Sequence, residues 1–548
     1  MISPKKALRN VLFCLLAAGG MLAQELPKAG SDDPVLRAMI AEMQRSKAQL
    51  KLEGVATPYY IDYRIVDIDH YVAEAAWGAT KAELRNRMRY LRVVVRIGDY
   101  KQDSFYQTGR GELDILGFDD DEFATRHKLW LATDQAYKAA AQALTAKNAA
   151  LKQLTIENPV DDFARAEPVT LVEPLARFEA GSSSWSKVLK EASAYYRKDP
   201  QLETAEANLS FEVTNRYFVD SEGSVVRTGS AVYSLQAEAS TQAADGMKLE
   251  RSVGIVVPKY PALPTPDKFK QQVEQMMGSL RQLRNAPVVD EEYRGPVLFE
   301  GDAATHVVAD FIGENVLGRK PALGQPARTR GAFSSNYLNK VLPDFLSVID
   351  DPTISSWQGE PLLGAYEVDD EGVKAAKVSL IDKGKLVGFD VGREPIRDFP
   401  ASNGHGRAQY PLNPAGASLG NLIVEPLEPL SSDAMRAKLL ELCKQRDLSY
   451  CYVVKAAGAK DSPRLLYRVF AKDGHEELVR GAAFGDLDVR SMRNNIVAAG
   501  DKACIDNRPT AIPHSIVSPP LLFDELEVKR ADQNKEKLPE YAAPPMAK

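Results

Sequence analysis

Cysteine is scarce in this sequence, with four residues in a chain of 548. Cys14 lies in the N-terminal apolar run, which leaves Cys443, Cys451 and Cys504 for the rest of the chain. An odd number of cysteines in so long a chain argues against a fold held together by disulfides. Cys443 and Cys451 could nevertheless pair with each other in an oxidising compartment.

Long apolar runs are also missing beyond the N-terminus, where no segment reaches the about 18 consecutive apolar residues that suggest a membrane-spanning helix. The first residues have a basic start, a short apolar run from Val11 to Leu16, and then small residues. This pattern is typical of a signal peptide. We therefore expect residues 1–23 to be a signal peptide, cleaved after Gly20 or Ala23, and the protein to be periplasmic or secreted.

Neither sign of charge dominates, because 69 Lys and Arg residues face 75 Asp and Glu residues, for a net charge of -6. The densest basic stretch, residues 81–98, runs from an amphipathic segment into a strand and has no aromatic platform for stacking bases. Nucleic-acid binders normally concentrate basic residues on one face. We therefore expect no nucleic-acid partner.

The periodicity of the chain predicts an α+β protein. Apolar residues at helical spacing (Leu36, Ile40 and Met43) precede alternating strand patterns, and a turn at Asp220–Gly223 separates two strands. We expect an α/β N-terminal region with helices packed on a mixed sheet. It is followed by a β-rich C-terminal domain of antiparallel strands, in which Gly372 and Gly384 supply turns.

At this length more than one domain is expected. We place the signal peptide at 1–23, the N-terminal and central α/β region at 24–289, and the β-rich C-terminal domain at 290–530. Residues 531–548 are polar and rich in proline, so we expect a disordered tail.

The segment VLFEGDAATHVVADFIGENVLG places Asp302, His306 and Asp310 four residues apart, hence on one face of a helix. Apolar residues occupy the opposite face, as in an amphipathic surface helix, and Asp302 is a plausible N-cap. A zinc site normally takes at least three ligands from converging elements. The pattern therefore favours a solvated helix face over a metal site, and leaves His306 as a weak candidate ligand.

A second candidate site is the segment SNGHGRA, which contains Asn403, His405 and Arg407 between glycines. Glycines let the backbone approach a ligand, and histidine and arginine can contact a peptide carbonyl or carboxylate. These three residues are our candidates for substrate binding. The alternative is a mobile turn whose histidine has no function.

Several segments, in this order, resemble the TldD/PmbA family of metallopeptidase-related proteins, which were once described as modulators of DNA gyrase. The segments are FVDSEGSVVRTG, GPVLFEGDAATHVVADFIG, NKVLPDFLSVIDDPT, DDEGVKAAKVSLIDKGKLVGF, GNLIVEPL, ELVRGAAFGDLDVRSMRNNIVAAG and SIVSPPLLFDELEV. The resemblance implies an α/β region, a β-rich C-terminal domain, and a dimer that encloses a chamber. The resemblance covers most of the chain after the signal peptide. The signal peptide itself differs from the family pattern, because the well-known members are cytoplasmic.

In the zinc-bearing TldD-type subunit, an HExxxH helix directly follows a VLF strand and a downstream cysteine completes the metal site. Counted from the residue after Phe299, the first histidine falls on Glu300, the glutamate on Gly301 and the second histidine on Ala304. The resemblance therefore implies that the family's zinc-binding motif is absent from these positions. Cys504 lies in the region of the third ligand, but a lone cysteine cannot hold zinc. No cofactor is expected in this chain, and zinc is expected in a partner subunit.

This sequence is more similar to the PmbA-type subunits, which also lack HExxxH. We expect an exported family member that acts in proteolysis of peptides or unfolded segments as a non-zinc subunit. Its partner would be a second copy or a zinc-bearing TldD-like subunit. The alternative is a non-catalytic periplasmic peptide-binding or scaffold protein, and a third hypothesis is a hydrolase that uses Glu300, His306 and Cys504.

Overall fold

The computed structural model describes residues 32–155, 159–179, 183–409, 413–458, 463–531 and 541. The predicted signal peptide and nearly all of the predicted tail lie outside these residues. None of the helices in this part of the chain is both long and apolar enough to cross a membrane.

The helices of the described residues are α1 (Pro34–Gln49), α2 (Glu122–Leu151), α3 (Ser183–Ser193), α4 (Pro266–Asn285), α5 (Asp302–Phe311), α6 (Ser432–Gln445) and α7 (Val489–Asn494). The strands of the N-terminal part are β1 (Tyr60–Ala76), β2 (Ala79–Arg96), β3 (Glu112–Ile115), β4 (Thr170–Val172), β5 (Leu202–Asp220), β6 (Val225–Gln242) and β7 (Lys248–Val257).

The strands of the C-terminal part are β8 (Tyr293–Phe299), β9 (Leu346–Asp350), β10 (Ser356–Trp357), β11 (Glu360–Pro361), β12 (Val378–Asp382), β13 (Lys385–Leu386), β14 (Gly406–Ala408), β15 (Ala415–Ala417), β16 (Asn421–Pro426), β17 (Tyr450–Ala457), β18 (Pro463–Phe470), β19 (Glu476–Val479), β20 (Ala482–Phe484), β21 (Ile496–Ala499), β22 (Cys504–Arg508), β23 (His514–Ser518) and β24 (Leu521–Arg530).

The N-terminal part is built on one mixed sheet, in the order β3-β2-β1-β5-β6-β4, with β7 also paired to β6. Successive side chains of a strand point to opposite faces. Ile61 and Tyr63 of β1 enter the core beneath α1 and α2, and Tyr71 and Ala73 enter the core beneath α3 and α4. These four residues have the same parity, so all four helices cover one face of the sheet.

The C-terminal part contains two larger sheets. One has the order β13-β12-β9-β16-β23-β22, and the other has β19-β18-β17-β8-β24-β20 with β21 on β24. Most pairs are antiparallel, but β16–β23 and β8–β17 are parallel. The predicted fold class is confirmed, with these two parallel pairs as the difference in detail.

The two parts share buried contacts. Phe218 and Val226 of the first sheet pack with Val368 of the C-terminal part. The fully buried Arg393 guanidinium donates to the Ala164 carbonyl at 2.8 and 3.0 Å and forms an ion pair with Glu222 at 2.7 Å. A guanidinium that is fully removed from water needs such partners, so Arg393 ties the two parts together.

Candidate functional site

A sharp turn connects the buried strand β8 to α5. The Glu300 N–H donates to the Val454 carbonyl at 2.9 Å, and Gly301 takes φ +58° and ψ -135°. This conformation is one that essentially only glycine adopts without strain. Gly301 is also the N-cap of α5, without a side-chain hydrogen bond, and Asp302 is the first helical residue. The prediction that Asp302 is the N-cap is therefore wrong.

The helix α5 packs against β17 of one sheet and against β22 and β23 of the other. Its apolar side was predicted correctly and is fully or almost fully buried, comprising Ala303, Ala304, Val307, Val308 and Phe311. The polar row is less solvated than predicted. Asp302 is exposed, but His306 and Asp310 are half-buried. The strands that contact α5 are distant from it in sequence, so helical periodicity alone could not reveal the partial burial of this face.

Charged and titratable groups converge near the start of α5. Although Asp302 reaches solvent, the protein groups packed around its carboxylate displace part of its water and raise its pKa; the nearby charge of Asp506 adds to this, while His306 and Arg251 oppose it. Burial, together with the negative charges of Asp302 and Asp506, raises the pKa of the Cys504 thiol to about 11. Without a bound metal, the Cys504 thiol is therefore protonated near neutral pH.

The ligand geometry for zinc is also lacking at this helix. Among the described residues, the one group with three candidate ligand atoms within 4.8 Å of one another is Asp350, Asp390 and His405. His306 and Cys504 therefore belong to no such group. The sequence has six histidines, and no two of them have the spacing of HExxxH. These residues do not fit the family's zinc site.

The predicted motif positions have other roles. Glu300 is half-buried before the helix, Gly301 makes the turn, and Ala304 is fully buried in the core. Counted from Glu300, the HExxxH spacing reaches Thr305, so the assignment of its last position to Ala304 needs correction. Thr305 is buried, and its hydroxyl donates to the Asp302 carbonyl at 2.9 Å.

The segment with Asn403, His405 and Arg407 is well packed. His405 is fully buried directly before β14. The Arg407 guanidinium donates to the Asp370 carboxylate at 3.1 Å and lies 4.2 Å from the centre of the Tyr366 ring. A mobile turn is therefore the wrong description. Substrate binding by these three residues stays a prediction, and most of their polar atoms are already bound to protein groups.

The sequence analysis did not identify two further residues of this region, Asp350 and Asp390. Asp350 is the last residue of β9, and Asp390 pairs with Leu317 in an isolated bridge. His405 lies within 3.6 Å of a carboxylate oxygen from each of them. The three residues are separated by 40 and 15 positions. No short sequence motif predicts such a group, because its members come together only in the folded chain.

The three C-terminal cysteines are free thiols. Cys443 and Cys451 are buried next to each other in the C-terminal core, and Cys504 is half-buried. Burial raises the pKa of both Cys443 and Cys451. Cys443 and Cys451 do not form a disulfide in this structure.

A family model described as the PmbA/TldA metallopeptidase C-terminal domain matches residues 292–530. No curated protein matches the chain. A modulator of a DNA gyrase from Thermotoga maritima has a similar structure, with a TM-score of 0.59 and 13% identity, over 90% of this chain and 99% of that one.

Two other solved structures are about as similar. TldE from Thermococcus kodakarensis has a TM-score of 0.58 and 13% identity, over 90% of this chain and 99% of that one. A modulator of DNA gyrase from Bacteroides thetaiotaomicron has a TM-score of 0.58 and 12% identity, over 90% and 98%. At such low identity these structures show the fold, which extends over both parts of this chain.

Proposed function

Since the chain belongs to the TldD/PmbA family through its C-terminal domain, we propose that it acts in proteolysis of peptides or unfolded segments as a subunit without its own catalytic zinc site. A zinc-bearing, TldD-like partner supplies the metal and hydrolyses the peptide bond. This chain shapes the chamber and binds substrate.

One observation carries the proposal. The family's C-terminal domain is present, but the helix after β8 carries a single histidine, His306, and the sequence contains no HExxxH. A zinc peptidase uses such histidines to hold the metal and a glutamate to activate the bound water. Among the described residues, neither His306 nor Cys504 belongs to a group of three candidate ligands, which agrees with a helix that does not hold catalytic zinc.

The proposal includes export, because the first residues have the signal-peptide pattern. N-terminal sequencing of the protein exported by its native host should begin at Met21 or Gln24. A protein that keeps residues 1–20 and fractionates with the cytoplasm would contradict export without affecting the assignment as a non-zinc subunit.

The catalytic assignment is tested with the purified mature chain alone. We expect no hydrolysis of unfolded casein or of a mixed peptide library, with or without added Zn²⁺. His306→Ala and Cys504→Ser should leave this result unchanged. Zinc-dependent hydrolysis by the chain alone that either substitution abolishes, with folding retained by circular dichroism, would instead support the hydrolase that uses His306 and Cys504.

A non-catalytic peptide-binding or scaffold protein is the alternative outcome. It would bind unfolded peptides or partner proteins but would not increase hydrolysis by any zinc-bearing family member. Co-purification with a subunit that carries HExxxH would argue against this alternative.

A further inference from the structure

We propose that Asp350, Asp390 and His405 bind a divalent transition-metal ion, with Zn²⁺ as the best fit. The site is separate from α5, so the inference is independent of the proposed function. All three side chains have zero exposed surface. They come from the end of β9, the segment after β13, and the residue before β14.

The distances suit an ion better than direct hydrogen bonds. His405 Nε2 lies 3.6 Å from Asp350 Oδ1 and 3.5 Å from Asp390 Oδ1. A charge-assisted N–H···O hydrogen bond is about 2.7–2.9 Å long. In a tetrahedral zinc site with bonds of about 2.0–2.1 Å, neighbouring ligand atoms lie about 3.3–3.4 Å apart. The observed separations are close to that spacing.

The second ring nitrogen of His405 fixes the tautomer. Nδ1 lies 3.1 Å from Asn403 Oδ1 and 3.2 Å from the Asn403 carbonyl oxygen, and both of these atoms are acceptors. Nδ1 therefore carries the proton, and in the neutral ring Nε2 presents its lone pair to the carboxylates. Metal-binding histidines usually have this arrangement, in which the other ring N–H donates to an oxygen.

Asn403 also holds the segment that contains Asp390. Its amide oxygen accepts the Val391 N–H at 2.8 Å, and its amide nitrogen donates to the Phe389 carbonyl at 2.8 Å. These two bonds define the orientation of the Asn403 amide. One side chain thus positions the residues on both sides of Asp390 and the ring of His405.

The polar atoms that face one another lack other partners. Apart from their contacts with one another, His405 Nε2, Asp350 Oδ1 and both carboxylate oxygens of Asp390 have no hydrogen-bond partner among the described residues. The remaining Asp350 oxygen accepts the Gly420 N–H at 2.9 Å. No lysine or arginine of the described chain forms an ion pair with either carboxylate. Buried carboxylates are costly unless they are paired or bind a metal.

The ligand types select the class of ion. An imidazole with two carboxylates suits zinc and manganese, whereas calcium and magnesium prefer oxygen ligands alone. The second Asp390 oxygen or a water molecule can complete the coordination. Because the group is buried, the ion would join three segments of the C-terminal domain and stabilise it, as closed structural sites do.

The test measures bound metal in the purified full chain after incubation with Zn²⁺, Mn²⁺ and Ca²⁺ together and removal of the excess. We expect about one transition-metal ion per chain. His405→Gln and Asp390→Asn should each reduce metal affinity at least about tenfold. The control variants His306→Gln and Cys504→Ser should retain the full amount. Loss of the metal in the control variants, or a chain that takes up only Ca²⁺, would overturn the proposal.

Two measurements on the unmodified chain cover the case in which the site variants do not fold. Chelation should lower its melting temperature, and added Zn²⁺ should restore it. Co²⁺ bound in place of Zn²⁺ should give visible bands without the near-ultraviolet charge-transfer absorption of a thiolate ligand. A thiolate band would place the ion at a cysteine instead. A melting temperature that is unaffected by chelation, in a chain without bound metal, would also overturn the proposal.

Discussion

Cys504 is a half-buried thiol at the start of β22, beside the first turn of α5. Its pKa is about 11, mainly because of burial, so very little of the thiol is ionised near neutral pH. At pH 8 its alkylation by iodoacetamide should be about two orders of magnitude slower than that of a free cysteine with a pKa of about 8.5. Asp302→Asn removes one nearby negative charge and should speed the reaction. A rate like that of a free thiol would contradict this environment.

Asp220 is buried beside Arg393, and its carboxylate accepts the N–H groups of Gly223 and Ser224 at 2.8 Å. Burial raises its pKa to about 6, despite these hydrogen bonds. The folded state then binds more protons than the unfolded state, whose pKa is about 3.9, so this contribution to stability is complete below about pH 4 and is lost as the pH rises through 6.

Asp220→Asn isolates this effect, because asparagine keeps an acceptor oxygen but does not titrate. Between pH 4 and pH 7 the free energy of unfolding of the wild type, relative to the variant, should fall by about 2–3 kcal/mol. Urea unfolding at several pH values measures this difference. A difference that grows with pH would mean that the carboxylate is stabilised in its charged form.

The connection from β8 to α5 depends on one glycine. A Cβ on Gly301 would meet only the Lys455 carbonyl oxygen at 3.6 Å, so its backbone conformation, rather than space, excludes other residues. Gly301→Ala should therefore destabilise the protein by about 1–3 kcal/mol. Gly278 is the matched control, because it lies inside α4 and a Cβ at this position would have no other atom within 4 Å.

Gly278→Ala should be neutral or stabilise the protein by up to about 1 kcal/mol, since alanine is the better helix former. Thermal and urea unfolding of the two variants, made in the same background, give the comparison. Equal effects of the two substitutions would show that the turn at Gly301 is not strained.

Local sequence patterns predicted the elements better than their surroundings. The hairpin of β5 and β6 turns at Asp220–Gly223 as alternation and turn residues indicated, and α5 has the predicted apolar face. The half-burial of His306 could not be predicted from helical periodicity, because α5 packs against strands from other parts of the chain, β17, β22 and β23. The N-cap was misplaced because Asp302 has the preferred side chain, whereas the tight turn requires Gly301.

At the scale of the whole molecule, sequence segments in order were enough to identify the family and the arrangement of a helix-covered sheet followed by β-rich layers. They could not reveal the group of Asp350, Asp390 and His405, which three separate segments bring together. They also could not reveal the ties between the two parts, such as Arg393 with Glu222. Both depend on contacts between residues far apart in the sequence.

The central claim is that this chain contributes to proteolysis only with a zinc-bearing partner. The most direct measurement compares peptide hydrolysis by this chain, by an HExxxH-bearing family member, and by their mixture. We expect the mixture to be at least about tenfold faster than either protein alone, and to lose activity when the motif glutamate of the partner is replaced. Hydrolysis by this chain alone at the rate of the mixture, or a partner that needs no second subunit, would contradict the account.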